Sequence, residues 1–366
     1  MPKGSKKVRI WGAILNLCTM VINREFCDNF YMRILIIKSS ALGDIIQSFP
    51  ALDYLLERYP GAQIDWVAEE TYIDLLRAHP GVSEVISIST RKWRKNLFQW
   101  STWKEIFEVR RRLRRDFYDL IFDLQGNTKS AFFTRWAQGK EKIGFDRKSV
   151  REKPNLLATS KRVFVPGDLP IQERYLRLVG GDGFASREVV LKLNADEEMR
   201  LQPLLPPRHP CYMVAMSSKW PNKQPSAETL KALLQKIPGV YFLFIYSNIL
   251  EKKLAEELHQ SLQGRSRIVG DLSIPLWQAL MRHVDLVLAV DSAALHLCAM
   301  TTTPSFSLFG PTNPHVYKPL GPQHRHIQGA CPYGRTFVHR CPVLRTCPTG
   351  ACIHNMTADQ IAEKLM

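Results

Sequence analysis

The stretch RILIIKSSALGDIIQSFPAL, residues 33–52, is the part of the chain that decides its fold class. It opens with Arg33 to Lys38, a short run of mostly branched apolar side chains, which is typical of a parallel strand buried on both faces. A turn follows, and apolar residues then return at helical spacing from Ile45 to Leu56, until Pro60 and Gly61 end the helix. A strand that passes through a short turn into a helix predicts the first half of a βαβ unit.

The same alternation continues through the chain in two blocks. The first block has further predicted strands at Gln63 to Ala68, Glu84 to Ile88 and Leu120 to Leu124, and helices at Thr71 to Ala78 and Trp103 to Arg115. After the proline-rich stretch Pro203 to Pro210, strands are predicted at Cys211 to Met216, Val240 to Tyr246, Ser266 to Val269, Leu286 to Val290 and Ser305 to Phe309. Helices are predicted there at Ala227 to Gln235 and Leu250 to Leu262. Two such blocks predict an α/β protein whose two doubly wound parallel sheets face a cleft, with ligands beyond the carboxyl ends of the strands.

Length and composition agree with two domains. The 366 residues are 45% apolar and 23% charged, which is typical of a folded globular chain. We expect an amino-terminal extension at 1–31, a Rossmann-like domain at 32–195, a linker at 196–210 and a second Rossmann-like domain at 211–366 that ends in a helix. Residues 3–22 are similar to a signal peptide, with lysines before an apolar run, but no small-x-small cleavage site follows. A dispensable extension before a start at Met32, a membrane-surface anchor and an export signal are therefore all open.

The formal net charge of +16 indicates acidic partners. Nucleic acid, anionic lipid, phosphorylated glycans and nucleotides all satisfy that description, and the charge alone does not choose among them. No run of apolar residues is long enough to span a bilayer. A cytoplasmic location is favoured because eight cysteines in a chain of this length are too sparse for a disulfide-rich secreted protein.

Asp44 follows the first predicted strand at the start of a helix, and Gly43 before it predicts a tight turn of the backbone there. The helix dipole stabilises an ionised carboxylate at this position, and an ionised carboxylate facing a cleft can act as a general base. The alternative is that Asp44 only caps its own helix, as aspartate often does.

The second block places hydroxyl and ammonium groups beyond its first strand. Ser217 and Ser218 are followed by Lys219 and Lys223, a set that suits a diphosphate, because hydroxyls donate hydrogen bonds and lysine adds a point charge. A solvated, lysine-bearing loop explains the same residues equally well.

The segment Val290 to Leu297 (VDSAALHL) predicts an anion site at a helix start. Asp291 and Ser292 follow a buried strand, so the first backbone N–H groups of the next helix point outward at the cleft. His296 fits either a ligand contact or a packed core histidine. The chain has neither G-x-G-x-x-G after its first strand nor a P-loop, which counts against a dehydrogenase and a P-loop enzyme. A metal-binding D-x-D pair at a cleft-facing strand end is also missing from the sequence.

Taken together, these motifs resemble glycosyltransferase family nine, the lipopolysaccharide (ADP-heptose) heptosyltransferases. The resemblance runs from about Met32 to the C-terminus. It rests on the segments RILIIKSSALGDIIQSFPAL, FDLQGNTKS with Gly144-Phe145-Asp146, SSKWPNK, VDSAALHL and FGPTNP. It implies the GT-B architecture, inverting and metal-independent transfer of a heptose from ADP-heptose to the Kdo/heptose inner core, and no cofactor. The type I or type II acceptor position, the donor epimer and the oligomeric state stay open.

The resemblance also implies roles for individual residues. Asp44 corresponds to the catalytic base, Lys223 to the lysine that steadies the leaving diphosphate, and Ser217 and Ser218 to its hydroxyl neighbours. The donor-binding set is completed by Asp291, Ser292, Ala293, His296 and, from the region after the strand ending at Tyr246, Glu251. Two departures from the family pattern leave alternatives open. Ala293 stands where a glycine is common, which leaves room for a different nucleotide sugar, and Trp220-Pro221 precedes Lys223, which leaves Lys219 as a substitute.

On the acceptor side the resemblance implies an anionic, membrane-borne lipid A with Kdo, and hence a peripheral position on the inner face of the inner membrane. The first domain is rich in arginine near tryptophan, and a solvated helix face is the alternative explanation for these residues. The candidate acceptor-binding residues are Arg91, Arg94, Arg135 and Arg151. A nucleic-acid-binding protein would explain the charge but not the two blocks of cleft motifs, and no nucleic-acid partner is expected. An inactive sugar-binding homologue is disfavoured because Asp44 and Lys223 are both present.

Four cysteines crowd near the C-terminus with the spacing C-x9-C-x5-C-x4-C, at Cys331, Cys341, Cys347 and Cys352. No C-x-x-C pair is present, so the pattern favours buried, reduced cysteines over a structural zinc site.

Overall fold

Twelve strands form two parallel sheets in the computed structural model, which describes residues 32–183 and 187–366. The first sheet contains β1 Arg33–Ile37, β2 Gln63–Glu69, β3 Glu84–Ile88, β4 Phe117–Asp123, β5 Gln138–Phe145 and β6 Lys161–Val163. The second contains β7 Cys211–Ala215, β8 Tyr241–Ile245, β9 Ser266–Val269, β10 Leu286–Val290, β11 Ser305–Phe309 and β12 His324–Gln328. The predicted α/β class with two doubly wound sheets is confirmed, and the expectations for residues 1–31 lie outside the described residues.

Helices connect the strands of both sheets. In the first domain they are α1 Leu42–Ile46, α2 Phe49–Arg58, α3 Ile73–Ala78, α4 Thr90–Lys95, α5 Trp100–Arg115, α6 Thr128–Trp136 and α7 Ile171–Leu178. They continue with α8 Ala195–Leu204, α9 Ala227–Gln235, α10 Ile249–Gln260, α11 Ile274–Met281, α12 Ala293–Cys298, α13 Pro314–Tyr317, α14 Ala351–His354 and α15 Ala358–Leu365. Short 3-10 turns lie at Glu70–Tyr72, Lys153–Leu157 and Pro221–Lys223. Among the helices of the described residues, none is long and apolar enough to cross a bilayer.

The order of the strands in each sheet shows where the cleft lies. It runs β3-β2-β1-β4-β5-β6 in the first sheet and β12-β11-β10-β7-β8-β9 in the second, so the order reverses between β1 and β4 and between β7 and β10. Parallel pairing of Ile37 with Val67 and with Asp123 brings the carboxyl ends of these strands to one edge. Ligands of doubly wound sheets bind at such a reversal, beyond the carboxyl ends. The loops after β1 and β10 are therefore the places to look for a site.

Strand β1 shows why its apolar run is continuous. Ile34 and Ile36 pack into one hydrophobic cluster, whereas Leu35 and Ile37 pack into another, because successive side chains point to opposite faces of a sheet. Helices cover both faces, so every position after Arg33 is buried. The first of these clusters continues into the second domain through residues such as Leu295, which joins the two domains by apolar contact.

Some elements differ from the expectation. Strands β5, β6 and β12 were not predicted, because their sequences are short or polar and their burial is partial. Residues 196–210, expected to be a linker, contain most of helix α8. Asn194 starts α8 with a capping box in which Glu197 also takes part, and the helix packs against α11 of the second domain. The expected C-terminal helix is present as α15, and it packs against α9 and β12.

Asp53 on α2 faces a cavity that the chain near Val189 and helix α12 also line. Burial raises the pKa of its carboxyl to about 6, although Arg187 opposes the shift. Because this pKa lies above that of an unfolded aspartate, the folded state binds the proton more tightly, and stability falls as the pH rises from about 4 through 6. Asp53→Asn should therefore raise the free energy of unfolding by about 1–2 kcal/mol at pH 7.5, a gain discounted for partial solvent access.

Urea denaturation of wild type and Asp53→Asn between pH 4 and pH 7.5 tests this expectation. The advantage of the variant should shrink toward the acidic end, where the folded carboxyl is protonated and the unfolded one is partly protonated. An equal advantage at every pH would contradict the assigned pKa.

Candidate functional site

Helices α1 and α12 meet across the cleft, one from each domain. At Gly43 an added Cβ would lie 2.9 Å from Cδ2 of His296 and 3.8 Å from Cα of Ala293. The backbone φ of Gly43 is not positive, and Gly43 lies inside α1. The expectation of a glycine-dependent turn is therefore corrected: the missing side chain allows the close approach of the two domains.

Gly43→Ala should lower kcat/KM by about tenfold, because the methyl group would push α12 away from α1 and misplace the two halves of the site. The melting temperature should change little, since alanine is the better helix former and offsets part of the steric cost. Steady-state kinetics and thermal denaturation measure the two effects. Wild-type kcat/KM in a folded variant would show that the inter-domain spacing tolerates a methyl group.

Asp44 lies at the start of α1, where its Oδ2 accepts a hydrogen bond of 3.2 Å from the backbone N–H of Ala41. The same side chain lines a pocket of about 390 Å³ in the cleft. The sequence left open whether Asp44 caps its helix or faces the cleft. In the structure its side chain does both. One carboxylate oxygen caps the helix, and the group stays half-exposed to the pocket.

The pocket around Asp44 is rich in cations. Lys38, Arg151, Arg174 and Arg340 line it, and Asp44 is the one carboxylate among its lining residues. The Nε of Arg174 is buried without a hydrogen-bond partner. A concave, positively charged pocket of this kind suits a sugar that carries carboxylates or phosphates.

Lys38 forms the floor of this pocket. Its side chain is almost fully buried, and its Nζ lies 5.0 Å from the centre of the Tyr175 ring. Burial alone would lower the pKa of Lys38, but Tyr175 and the Asp44 carboxylate outweigh it and raise the pKa above its ordinary value. Lys38 is therefore a fixed cation in the pocket that Asp44 also lines.

The loop that carries Asp44 is held by the FDLQGNTKS segment. Gln125 Oε1 accepts hydrogen bonds from the backbone N–H groups of Ser39 and Ser40, at 3.1 and 3.2 Å. Asp123, fully buried, accepts from the N–H groups of Gln125 and Gly126 and from the hydroxyl of Ser130. The segment thus has a positioning role, fixing the backbone between β1 and α1.

On the other side of the cleft, Lys223, Asp291 and His296 form one cluster. The Nζ of Lys223 donates to Asp291 Oδ2 at 2.5 Å and to the Asp291 backbone oxygen at 3.3 Å. His296 Nε2 lies 3.7 Å from Asp291 Oδ1. Burial would raise the pKa of Asp291, but His296 and Lys223 hold it well below its usual range. Asp291 is therefore an ionised carboxylate that fixes the lysine ammonium in place.

Two polar atoms, one in this cluster and one in the residue next to Asp291, have no hydrogen-bond partner. The hydroxyl of Ser292, which precedes α12, and Nδ1 of His296 are both buried without a hydrogen bond. Such groups are costly to leave unpaired, so they are good candidates for contacts with a ligand. His296 is buried and packed, as one alternative predicted, yet it also touches Asp291. Ala293 follows Ser292 as the first residue of α12, facing Gly43.

The loop before Lys223 holds the other predicted phosphate residues. Ser217 and Ser218 are both half-buried, and the Ser218 hydroxyl accepts a 3.4 Å bond from the backbone N–H of Trp220. Lys219 is exposed, with its Nζ 6.0 Å from the Trp220 ring. Of the two lysines left open by the sequence, Lys223 is the one that the fold brings to Asp291.

Glu251 lies in the first turn of α10, where its Oε2 accepts from the backbone N–H of Ser247 at 2.7 Å and from the Ser247 hydroxyl at 2.9 Å. This oxygen is therefore engaged in fixing the loop after β8. Only the other carboxylate oxygen is available for a ribose, and that role stays a prediction.

Three of the four predicted acceptor arginines lie outside the pocket. Arg91 and Arg94 are exposed on α4, beyond the edge strand β3. Arg135 lies in the last turn of α6, which starts at the cleft edge and ends at the amino edge of the sheet. A helix that returns from one strand to the next carries its last residues away from the carboxyl ends of the strands, so Arg135 lies away from the Asp44 pocket and its acceptor role stays a prediction. Arg151 does line the pocket with Asp44.

The four C-terminal cysteines converge on one small cavity next to Asn222. All six cysteines in the described residues are free thiols. Burial, and then the neighbouring thiols, raise the pKa of Cys352 to about 11, whereas backbone N–H groups of Thr349 and Gly350 lower the pKa of Cys347. No group of three or more metal-ligating side chains that could hold an ion occurs in residues 32–183 and 187–366. Asn222 donates to the backbone oxygens of Leu344 and Cys347, so this loop supports the segment that carries Lys223.

Several pocket residues were not predicted from the sequence. Arg174 and Tyr175 come from α7, and Tyr317 and Arg340 come from the second domain. Burial, and then the charges of Asp291 and Asp44, raise the pKa of Tyr317, so this phenol lies within electrostatic reach of both halves of the site. In the sequence, only the polar FGPTNP turn just before Tyr317 indicated that this part of the chain reaches the site. The other residues are far apart in the chain, so no local pattern connects them.

The sequence is similar to those of known heptosyltransferases. The chain is 29% identical over 314 residues to lipopolysaccharide heptosyltransferase 1 of Pseudomonas aeruginosa, covering 85% of this chain and 87% of that protein. It is 26% identical over 298 residues to lipopolysaccharide heptosyltransferase 1 of Escherichia coli K12, covering 77% and 89%.

Solved structures show the same fold. E. coli heptosyltransferase WaaC with ADP superposes with a TM-score of 0.75 at 23% identity, covering 91% of this chain and 99% of that one. The glycosyltransferase of family 9 from Veillonella parvula gives a TM-score of 0.74 at 14% identity, covering 92% and 97%. The model of glycosyltransferase family 9 (heptosyltransferase) matches residues 106–346, which is more than half of the chain. The chain therefore belongs to glycosyltransferase family 9, the heptosyltransferase family, and has its GT-B fold.

Proposed function

We propose that this protein transfers a heptose from ADP-heptose to the Kdo/heptose inner core of lipopolysaccharide, with inversion and without a metal ion. Family membership supports the reaction class, and the names of the relatives, lipopolysaccharide heptosyltransferase 1, support the acceptor. Two WaaC structures with this fold hold ADP and ADP-2-deoxy-2-fluoro heptose, which supports the donor. The observation that carries the proposal is the Asp44 pocket in one domain facing the Lys223–Asp291 cluster in the other.

The diphosphate of the donor binds, in this proposal, at Lys223 and Ser292. An ammonium has three N–H donors, and Asp291 accepts from Lys223 through two oxygens, so one donor is left for a phosphate oxygen. The unpartnered hydroxyl of Ser292 supplies another, and Ser217 and Ser218 lie on the neighbouring loop. A lysine that is held in position stabilises negative charge on the leaving group without reorganisation.

The acceptor binds in the pocket that Asp44 lines. Lys38, Arg151 and Arg174 provide positive charge for the carboxylates of Kdo, whereas the sugar hydroxyl that reacts lies beside Asp44. The pocket therefore combines one carboxylate, which can take a proton, with cations that can hold an anionic acceptor.

The reaction follows from this placement. Asp44 takes the proton from the acceptor hydroxyl as that oxygen forms a bond to the anomeric carbon, on the face opposite the diphosphate. The bond between the anomeric carbon and the diphosphate oxygen breaks, and its electron pair leaves with ADP. Lys223 and Ser292 meet the growing negative charge on that oxygen, and contact between the domains excludes water that would otherwise hydrolyse the donor. The proton then passes from Asp44 to solvent.

The acceptor's lipid anchor implies where the enzyme works. We place the protein on the cytoplasmic side of the inner membrane, bound peripherally, with the net charge of +16 attracting anionic lipid.

Transfer is tested with the purified full-length chain, ADP-heptose and two acceptors: lipid A with Kdo, and the same acceptor already carrying one heptose. Mass spectrometry should show the gain of one heptose on one of them, and that acceptor gives the type. No product with either acceptor, together with tight ADP binding by calorimetry, would favour a family-nine transferase with another nucleotide sugar or acceptor. Failure to bind ADP would contradict the donor site.

A further inference from the structure

Helix α5 carries a stripe of large exposed side chains. Trp100, Trp103, Phe107, Arg110 and Arg114 follow one another at intervals of three and four residues, which places them on one face of the helix. Trp100 is 78% exposed and Phe107 is 51% exposed, and Phe98, just before the helix, is fully exposed. Aromatic side chains of this size seldom lie together in water without a partner.

The cationic end of the stripe opens into a groove. This groove has a volume of about 610 Å³ and lies between α5, α6 and the starts of β4 and β5. Its lining includes the cations Arg110, Arg114, Arg135 and Lys142 and the aromatic rings of Phe117 and Trp136. No acidic side chain is among the lining residues, so the positive charges face one another without compensation.

A neighbouring cation of the same helix, outside the groove, is compensated by acidic side chains. Arg112 of the same helix forms ion pairs with Glu84 and Asp116. In the groove, by contrast, burial and the charge of Arg135 lower the pKa of Lys142. An anionic group that entered the groove would relieve this repulsion.

Topology places the stripe next to the cleft. Helix α5 follows α4, which comes after the carboxyl end of β3, and it runs back to the amino end of β4. Its aromatic end therefore lies near the edge of the sheet that carries Asp44, and its cationic end lies near the opposite edge. A helix of 16 residues is about 24 Å long, so the stripe runs from one edge of the sheet toward the other.

We propose that this aromatic-cationic stripe and its groove dock on an anionic phospholipid bilayer, with the aromatic rings at the headgroup boundary and lipid phosphates in the groove. The proposal rests on the proposed function, because it identifies the surface that brings the enzyme to a lipid-borne acceptor. A helix with apolar and basic side chains on one outward face is suited to lie in a membrane interface. Charge complementarity selects the anionic bilayer as the partner.

Vesicle co-sedimentation tests the surface with the full-length chain. One variant removes the two most exposed rings, Phe98→Ser with Trp100→Ser, and another reverses the charge, Arg110→Glu with Arg114→Glu. Each should bind vesicles of phosphatidylcholine with phosphatidylglycerol about tenfold or more weakly than wild type. The matched control, Lys231→Glu with Lys253→Glu on exposed positions of the second domain, makes the same charge change and should bind close to wild type.

Activity measurements distinguish a failure of the docking surface from a failure of the proposed heptosyl transfer. The stripe variants should transfer heptose to a deacylated, water-soluble acceptor at the wild-type rate, but at a strongly reduced rate to acceptor embedded in vesicles. If wild type transfers heptose to neither acceptor, the proposed function fails, while the vesicle-binding result is still decided by the variants.

Two results would overturn the docking surface. Folded stripe variants that bind anionic vesicles as tightly as wild type would place membrane binding elsewhere, for example in residues 1–31. Variants that keep vesicle binding but lose binding to single-stranded RNA, titrated in parallel, would make the stripe a nucleic-acid surface instead.

Discussion

Asp44→Asn should lower kcat by about 10²–10⁴-fold while ADP affinity stays close to that of wild type. The asparagine oxygen can still accept the hydrogen bond from the Ala41 N–H, so the start of α1 is kept. The amide cannot take a proton, however, so the acceptor hydroxyl loses its base. Steady-state kinetics with saturating acceptor and calorimetry with ADP measure the two quantities separately.

The test includes a control variant and outcomes that would contradict the role of Asp44 as the base. Asp74→Asn changes an exposed aspartate on α3, outside the pocket, and should leave kcat unchanged. If Asp44→Asn kept kcat within about threefold of wild type, Asp44 would be only a helix cap and another group would serve as the base. A parallel loss of ADP affinity would instead indicate a distorted cleft.

Lys223→Met should lower kcat/KM by about 10²–10³-fold and also destabilise the fold. The loss of activity follows from removing the cation at the leaving diphosphate. The loss of stability follows because Asp291 would remain ionised and buried with only His296 beside it, at a cost of about 2–4 kcal/mol. Kinetics and urea denaturation of the same variant give both numbers.

The double variant Lys223→Met with Asp291→Asn separates the two effects. Removing both charges leaves no unpaired buried ion, so most of the stability should return while activity stays low. Recovery of activity together with stability would show that Lys223 is only structural. Lys219→Met is the matched control on the same loop, and if that variant alone lost activity, Lys219 would be the phosphate lysine.

The central strands were predictable because of burial. Parallel strands covered on both faces consist of continuous apolar residues, as in Arg33–Ile37 and Leu286–Val290, and this pattern is visible without a structure. Strands at or beside the sheet edges are different. Gln138–Phe145 and His324–Gln328 carry charged and polar residues because parts of them remain accessible, so their sequences do not differ from those of loops.

The candidate site was partly predictable for a similar reason. Asp291 follows a buried strand directly and Asp44 starts the helix after another, and topology brings the carboxyl ends of such strands to the cleft. Arg135 was predicted to bind the acceptor from its residue type alone, whereas the fold places it in the last turn of α6, at the edge of the sheet opposite the Asp44 pocket. The positions of Glu251 and of the aromatic-cationic stripe likewise depend on which way a helix faces.

The sequence by itself determined the central strands, the α/β class with two doubly wound sheets, and the loops that reach the cleft, because apolar periodicity records local burial along the chain. The GT-B architecture was implied by the resemblance of its motifs to a known family. The tertiary structure alone decided which side chains share the cleft. Lys38 and Asp44 line one pocket, the charges of Asp44 and Asp291 both raise the pKa of Tyr317, and Gly43 allows the close approach of His296. These contacts join residues that are distant in the chain, and only the packing of whole helices and domains sets their distances.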